Sequence, residues 1–187
     1  MGNREEGIAQ IERARELDPL SLIINVNVGT MLYYARQYDR AIGECRKALE
    51  LEPDFAPVYG CLGGAYEMKG QLEEAIHAYQ KEVELSGSDP FKIAALGHAY
   101  AISGKKANAR KILRELTALS LQQYVSPYAM AMVYVGLGER AQALEWLEQG
   151  CREHSFGMEQ ITIDSTFDPL RSEPRFQELL RRMHFSS

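Results

Sequence analysis

Histidines are the side chains in this sequence best suited to acid–base catalysis or metal binding. None is followed three or four residues later by a carboxylate or a second histidine, the spacing that places two ligands on one helix face: His77, His98, His154 and His184. No serine or cysteine has the acid–base company that activates a nucleophile, and no glycine-rich phosphate loop occurs. We therefore predict no catalytic residue, no metal site and no cofactor, and we do not expect an enzyme.

The three cysteines are Cys45, Cys61 and Cys151. Their number is odd and no two of them have CxxC spacing, so the sequence indicates neither a disulfide framework nor a zinc site. We expect them to act as small apolar residues inside helices.

Charge and hydropathy disfavour several classes of partner. The 187 residues are 45% hydrophobic with a net charge of -5, which favours a folded domain and disfavours nucleic acid. No stretch approaches the roughly 18 apolar residues of a membrane span, and the polar N-terminus does not resemble a signal peptide. We expect a cytoplasmic protein that binds no membrane. A basic run is expected to be a solvated outer face, with docking of an acidic partner as the alternative: Lys105, Lys106, Arg110, Lys111 and Arg114.

The most informative pattern is a repeat with a period of 34 residues. Several registers agree without insertion or deletion, among them Gly29, Gly63, Gly97 and Ala131, and also Gly7, Ala41, Ala75, Ala109 and Ala143. Each unit has two apolar stretches at helical spacing, separated by Gly70, Gly104 or Gly138. We predict a helical hairpin in which Gly63 and Ala75 lie where the two helices would otherwise collide.

This unit resembles the tetratricopeptide repeat. The resemblance is carried by Tyr59-x-x-Leu62-Gly63-x-x-Tyr66 and then Ala75-x-x-x-Tyr79, and it covers residues 4 to about 153. It implies an all-α, right-handed solenoid of helical hairpins, here one array over residues 1–187. The registers predict a half repeat and four full repeats: 4–19, 22–55, 56–89, 90–123 and 124–157.

The C-terminal residues depart from the period. Residues 158–173 are predicted as a linker and residues 174–184 as a capping helix, whose apolar face can cover the helix that contains Leu147. Residues 167–176 are also similar to the segment that closes repeat arrays in bacterial kinases, winged-helix regulators and adenylate cyclases. That resemblance implies that the chain is the C-terminal part of a larger regulator.

The family resemblance also implies a binding surface, because the first helices of the hairpins line a concave groove in that family. The residues predicted to line a partner-binding groove are Val26, Thr30, Tyr33, Tyr34, Gly64, Glu67, Met68, His98, Tyr128 and Met132. Only one is a carboxylate and none is lysine or arginine, so we expect an apolar peptide or helix as partner. Four further residues either extend this strip or only pack neighbouring first helices together: Ile23, Pro57, Phe91 and Val125. The carboxylate clamp of chaperone-binding members is not expected, since only Asn27 matches it.

The leading hypothesis is a protein–protein interaction module, a scaffold within a larger bacterial signalling protein. One alternative is homo-oligomerisation through residues 4–17, where Ile8 and Ile11 lack a first helix to cover them. Another is a substrate-docking region for an enzyme whose catalytic domain lies upstream.

Overall fold

The computed structural model describes residues 2–183 and consists of helices throughout that range. The chain divides into two compact units, Met1–Gly87 (unit 1) and Ser88–Ser187 (unit 2). Unit 1 contains α1 Gly2–Leu17, α2 Leu22–Tyr34, α3 Tyr38–Leu51, α4 Ala56–Met68 and α5 Leu72–Ser86. Unit 2 contains α6 Pro90–Ile102, α7 Lys106–Leu119, α8 Pro127–Leu137, α9 Arg140–Glu153, two 3₁₀ helices at Met158–Gln160 and Ser165–Leu170, and α10 Pro174–Arg182. The predicted all-α fold of paired helices is confirmed.

The turn inside each hairpin repeats with the sequence period. It contains one residue with a left-handed backbone, with φ of 61° at Arg36, 72° at Gly70, 82° at Gly104 and 77° at Gly138. The next amide then donates to a carbonyl five residues back, as from Gln71 to Tyr66 at 2.9 Å, which is how a Schellman motif ends a helix. Glycine adopts this conformation without a Cβ clash, so three of the four turns form without strain.

Small residues let the helices of one hairpin approach closely. A Cβ atom on Gly63 of α4 would lie 2.6 Å from Cε1 of Tyr79 on α5, closer than carbon atoms can pack. The prediction that Gly63 relieves a collision between the two helices is therefore confirmed.

Helix α1 is covered by the rest of unit 1. Ile8 is buried in the same apolar cluster as Val28 and Leu32 of α2, so the expectation that Ile8 lacks a cover is wrong. Arg15 Nη1 also donates to Glu44 Oε2 of α3 at 2.6 Å. The end of α1 and the following turn expose two large apolar side chains, Leu17 at 85% and Leu20 at 73%.

The cysteine prediction needs a correction, because Cys45 of α3 and Cys61 of α4 form a disulfide. Both sulfurs lie against Gly29 of α2, where a Cβ atom would be 2.6 Å from Cys45 Sγ and 2.9 Å from Cys61 Sγ. The packing of α2 against both helices brings the two thiols together, and no sequence spacing signals it. Cys151 remains a free, half-buried thiol.

The segment predicted as a linker is packed onto α8. We call residues 155–170 the C-terminal cover; four of its apolar side chains are buried: Met158, Ile161, Phe167 and Leu170. The hydroxyl of Tyr128 on α8 donates to Asp164 at 2.5 Å, and the Tyr128 ring lies 4.9 Å from that of Phe167. Ser126 donates to the carbonyl of Phe156 at 2.7 Å. The chain thus closes its last hairpin with its own residues.

The capping helix is confirmed. Helix α10 packs on α9 with Phe176 and Leu179 buried, and two ion pairs fix it, Arg140–Glu173 and Arg175–Glu148. His184, the last residue of the predicted capping helix, lies outside the described residues.

The disulfide predicts a stability that depends on redox state. It spans 16 residues, and a loop of this size contributes about 3 kcal/mol by restricting the unfolded chain. Urea unfolding should lose about that free energy when a reductant is added. Cys61→Ser is the matched control, since its stability should not respond to reductant. A count of three thiols in the unreduced, denatured chain would contradict the assignment.

The ion pair between α1 and α3 predicts that the stability of the protein depends on pH. Burial alone would raise the pKa of Glu44, but hydrogen bonds from Lys47 and Arg15 outweigh it, and the pKa lies below the usual 4.5. A lowered pKa in the folded state stabilises the protein above about pH 4.5, and this contribution disappears as the pH falls through the folded value. Glu44→Gln should therefore cost about 0.5–1 kcal/mol at pH 7 and nothing near pH 2. As a control, Glu50→Gln at an exposed position should leave the stability at pH 7 unchanged. Thermal melts at pH 7 and pH 2 measure both effects.

The C-terminal cover predicts a large cost for removing its central ring. Phe167 is fully buried, so Phe167→Ala should lower the free energy of unfolding by about 3–4 kcal/mol. Ile163→Ala, in the same segment but 38% exposed, should cost less than about 1 kcal/mol. Equal unfolding midpoints for the two variants in urea would show that the cover does not stabilise unit 2.

Candidate functional site

The structure separates the ten predicted groove residues into two groups. Six are buried: Val26, Gly64, Glu67, His98, Tyr128 and Met132. Four are partly exposed, and all of these lie in unit 1: Thr30, Tyr33, Tyr34 and Met68. In this conformation only the second group can contact a partner.

Thr30, Tyr34 and Met68 belong to one surface on α2 and α4, which pack against each other in unit 1, and Tyr33 lies at its edge. On α2, positions spaced by three or four residues share one helix side: Ile23, Asn27, Thr30 and Tyr34. On α4, the residues at the same kind of spacing are Pro57, Gly60, Gly64 and Met68. We call these eight residues the α2–α4 face. None of them is charged, and Ile23 exposes 57% of its surface.

Tyrosine rings and glycines shape the α2–α4 face. A Cβ atom on Gly64 would lie 3.1 Å from the ring of Tyr33, so Tyr33 rests directly on the α4 backbone. The Tyr33 ring also meets the Tyr34 ring edge-on at 5.2 Å and the Tyr38 ring at 6.0 Å. Tyr33 is therefore a support at the edge of the face, and Tyr34 is the aromatic side chain beside it. Gly60 and Gly64 have no side chains, and neighbouring residues fill the space beside them: a Cβ atom on Gly60 would lie 2.5 Å from Oε1 of Glu82 on α5.

The predicted groove residues of unit 2 are covered by the chain itself. His98 is 5% exposed, and its Cδ2 atom lies 2.9 Å from where Gly136 of α8 would carry a Cβ. The expectation that His98 faces a groove is therefore wrong, since α6 and α8 enclose it. Tyr128 is fully buried between Phe91, stacked at 5.9 Å, and Phe167 of the C-terminal cover.

An aromatic cleft in unit 2 was not anticipated from the sequence. It has a volume of about 370 Å³ and is lined by Phe91, Tyr124 and Phe156 among others. Phe156 and Tyr124 are each 62% exposed. The sequence signal for this cleft was Phe156, an isolated phenylalanine in the polar stretch after α9. Its position in the sequence does not indicate which helix the ring approaches.

The described residues give little sign of other chemistry. Within residues 2–183, no group of three or more His, Cys, Asp or Glu side chains could hold a metal ion. Over the same range, no helix is both long and apolar enough to cross a bilayer.

Two sequence models of the tetratricopeptide repeat match the chain, one over residues 1–56 and one over residues 44–77. No curated protein matches it.

Several solved structures share its fold. A thermophilic tetratricopeptide protein of Thermus thermophilus, TTC0263, is similar with a TM-score of 0.66 and 17% identity, covering 98% of this chain and 92% of that one. MamA is similar with a TM-score of 0.57 and 20% identity, covering 82% and 90%. YrrB, described as a tetratricopeptide protein with an unusual peptide-binding site, has a TM-score of 0.54 and 19% identity, covering 92% and 89%.

At these identities the structural matches establish the fold alone. The sequence models match residues 1–77, and the structural matches show an all-α solenoid of helical hairpins. Together they support the tetratricopeptide-repeat family for this chain.

Proposed function

We propose that the chain is a protein-binding module whose α2–α4 face in unit 1 holds an apolar segment of a partner. Proteins with tetratricopeptide repeats are generally interaction modules, and the fold is a non-catalytic scaffold. The observation that carries the proposal is a face of eight uncharged residues, all of which except Gly64 are at least partly exposed. A contact surface of this kind gains free energy mainly from burying apolar area.

Packing inside unit 2 supports this class of partner, because an apolar segment of the chain covers a first helix there. In the 34-residue register, Tyr128 and Met132 of α8 occupy the places of Val26 and Thr30 on α2. The C-terminal cover lies on α8 and buries Phe167 there, with one hydrogen bond from Tyr128 to Asp164. An apolar segment with an aromatic anchor is therefore the class of partner that we expect for the α2–α4 face.

The wider context is also a proposal. The similarity of residues 167–176 to closing segments of bacterial regulators supports a place within a larger signalling protein, and a docking region for an upstream enzyme is the alternative. A cytoplasmic location stays a prediction, and the Cys45–Cys61 disulfide weighs against it because structural disulfides persist mainly in oxidising compartments.

Homo-oligomerisation is the second candidate function. Leu17, at the end of α1, is 85% exposed, and Leu20, in the turn that follows, is 73% exposed. This favours contact through these two residues rather than through the buried Ile8. Light scattering over a concentration series distinguishes a dimer from a monomer.

The test of the α2–α4 face uses a peptide selected against the full chain from a random 12-residue library. We expect an apolar peptide with an aromatic residue, bound with a Kd in the micromolar range. Tyr34→Ala should weaken it about thirtyfold, equivalent to about 2 kcal/mol, because a few aromatic anchors carry most of the binding energy in such contacts. Calorimetry measures the loss.

The matched control is Tyr124→Ala, since Tyr124 is an exposed tyrosine of unit 2 and its removal should leave the affinity unchanged. Raising the salt concentration from about 0.05 to 0.5 M should also change little, because screening acts on charges. Selection of charged peptides whose binding ignores Tyr34→Ala would overturn the assignment.

A further inference from the structure

Helix α7 carries an excess of positive charge on its exposed side. Its 14 residues include four cations and one carboxylate, Glu115. Lys106, Arg110 and Arg114 follow one another at intervals of four residues, and Lys111 lies three residues before Arg114. Like charges at these spacings repel each other across a helix surface. This repulsion destabilises α7, and glutamates placed between the cations would remove it.

Most of this charge is not neutralised by the protein. Arg110 pairs with Glu139 at 2.6 Å. Lys106, Lys111 and Arg114 are exposed and have no ion-pair partner among residues 2–183. Three cations are therefore available to a partner without breaking an internal contact.

A cleft lies beside these cations. It has a volume of about 360 Å³ and is lined by Arg110, Leu113, Arg114 and Thr117 of α7 and by Tyr134 of α8. Thr117 donates its hydroxyl proton to the carbonyl of Leu113 at 2.8 Å. Among residues 2–183, no carboxylate lines this cleft; its charged groups are the guanidinium groups of Arg114 and of Arg110, which pairs with Glu139.

Unit 1 provides an internal comparison, because Arg46 and Tyr66 stand two periods before Arg114 and Tyr134. They line a cleft of about 550 Å³ whose other wall carries Glu73 and Glu74. Arg46 there donates to the Tyr66 hydroxyl at 2.9 Å. The same place in the repeat is therefore electrostatically mixed in unit 1 and cationic in unit 2.

We propose that the α7–α8 cleft and the lysines beside it bind an acidic segment of a partner protein. A carboxylate of that segment accepts hydrogen bonds from Arg114, whose planar guanidinium suits a carboxylate, while Lys106 and Lys111 attract the flanking acids. Charge complementarity selects this occupant. The net charge of -5 for the whole chain disfavours the alternative, the phosphate backbone of a nucleic acid. This site shares no residue with the α2–α4 face.

The test measures binding of a fluorescein-labelled peptide of ten glutamates to the full chain by anisotropy. We expect binding that weakens as salt rises from about 0.05 to 0.3 M, because screening shortens the reach of exposed charges. The double variant Lys111→Ala, Arg114→Ala should weaken the peptide about tenfold. The control is the double variant Arg181→Ala, Arg182→Ala on α10, which also removes two positive charges from exposed positions of unit 2. It should change the affinity less than about twofold.

Two further variants locate the site. Arg46→Ala, in the matching cleft of unit 1, and Tyr34→Ala, in the α2–α4 face, should both leave peptide binding unchanged. The proposal is overturned if the peptide does not bind, or if both double variants weaken it equally, which would indicate general attraction. The proposal is also overturned if a ten-nucleotide DNA strand binds more tightly than the glutamate peptide and the Lys111→Ala, Arg114→Ala variant loses that binding. The site would then suit a phosphate backbone.

Discussion

The structure depends on one constraint: a helical hairpin of this sequence has more apolar surface than its two helices can bury against each other. Each first helix is apolar around most of its circumference, so it needs a cover besides its own second helix. In unit 1, α1 supplies part of that cover for α2, which is why Ile8 is buried. In unit 2 the C-terminal cover supplies it for α8. The α2–α4 face is an uncharged surface that stays accessible in unit 1.

Close approach of backbones makes this packing possible, and glycine provides it. Gly63 accommodates the Tyr79 ring, Gly64 accommodates Tyr33, and Gly29 accommodates both sulfurs of the Cys45–Cys61 disulfide. Each missing side chain is filled by a specific neighbour, so these glycines determine distances between helices. The disulfide and the position of Tyr33 on the α2–α4 face both follow from that.

Charge divides the surfaces further. The α2–α4 face has no charged residue, whereas α7 exposes three cations, Lys106, Lys111 and Arg114, that have no ion-pair partner within residues 2–183. An apolar surface binds through desolvation and is insensitive to salt, while an exposed cationic surface acts through screened attraction. The two surfaces therefore suit different segments, and salt dependence separates their contributions in any complex of this protein.

The period of 34 residues was sufficient to determine the helical hairpins, because helix spacing, turn glycines and small packing residues are local features that recur in the sequence. It also predicted α10 as a cap, since an amphipathic face after the array needs an apolar surface to cover. Tertiary structure alone decided which first-helix residues stay accessible. Tyr128 and Met132 match the groove pattern as well as Tyr34 does, yet they are buried. The cover of Tyr128 comes from residues 155–170, which follow no period and so carry no sequence signal of where they pack. The Cys45–Cys61 disulfide has the same origin, because the packing of three helices brought its thiols together.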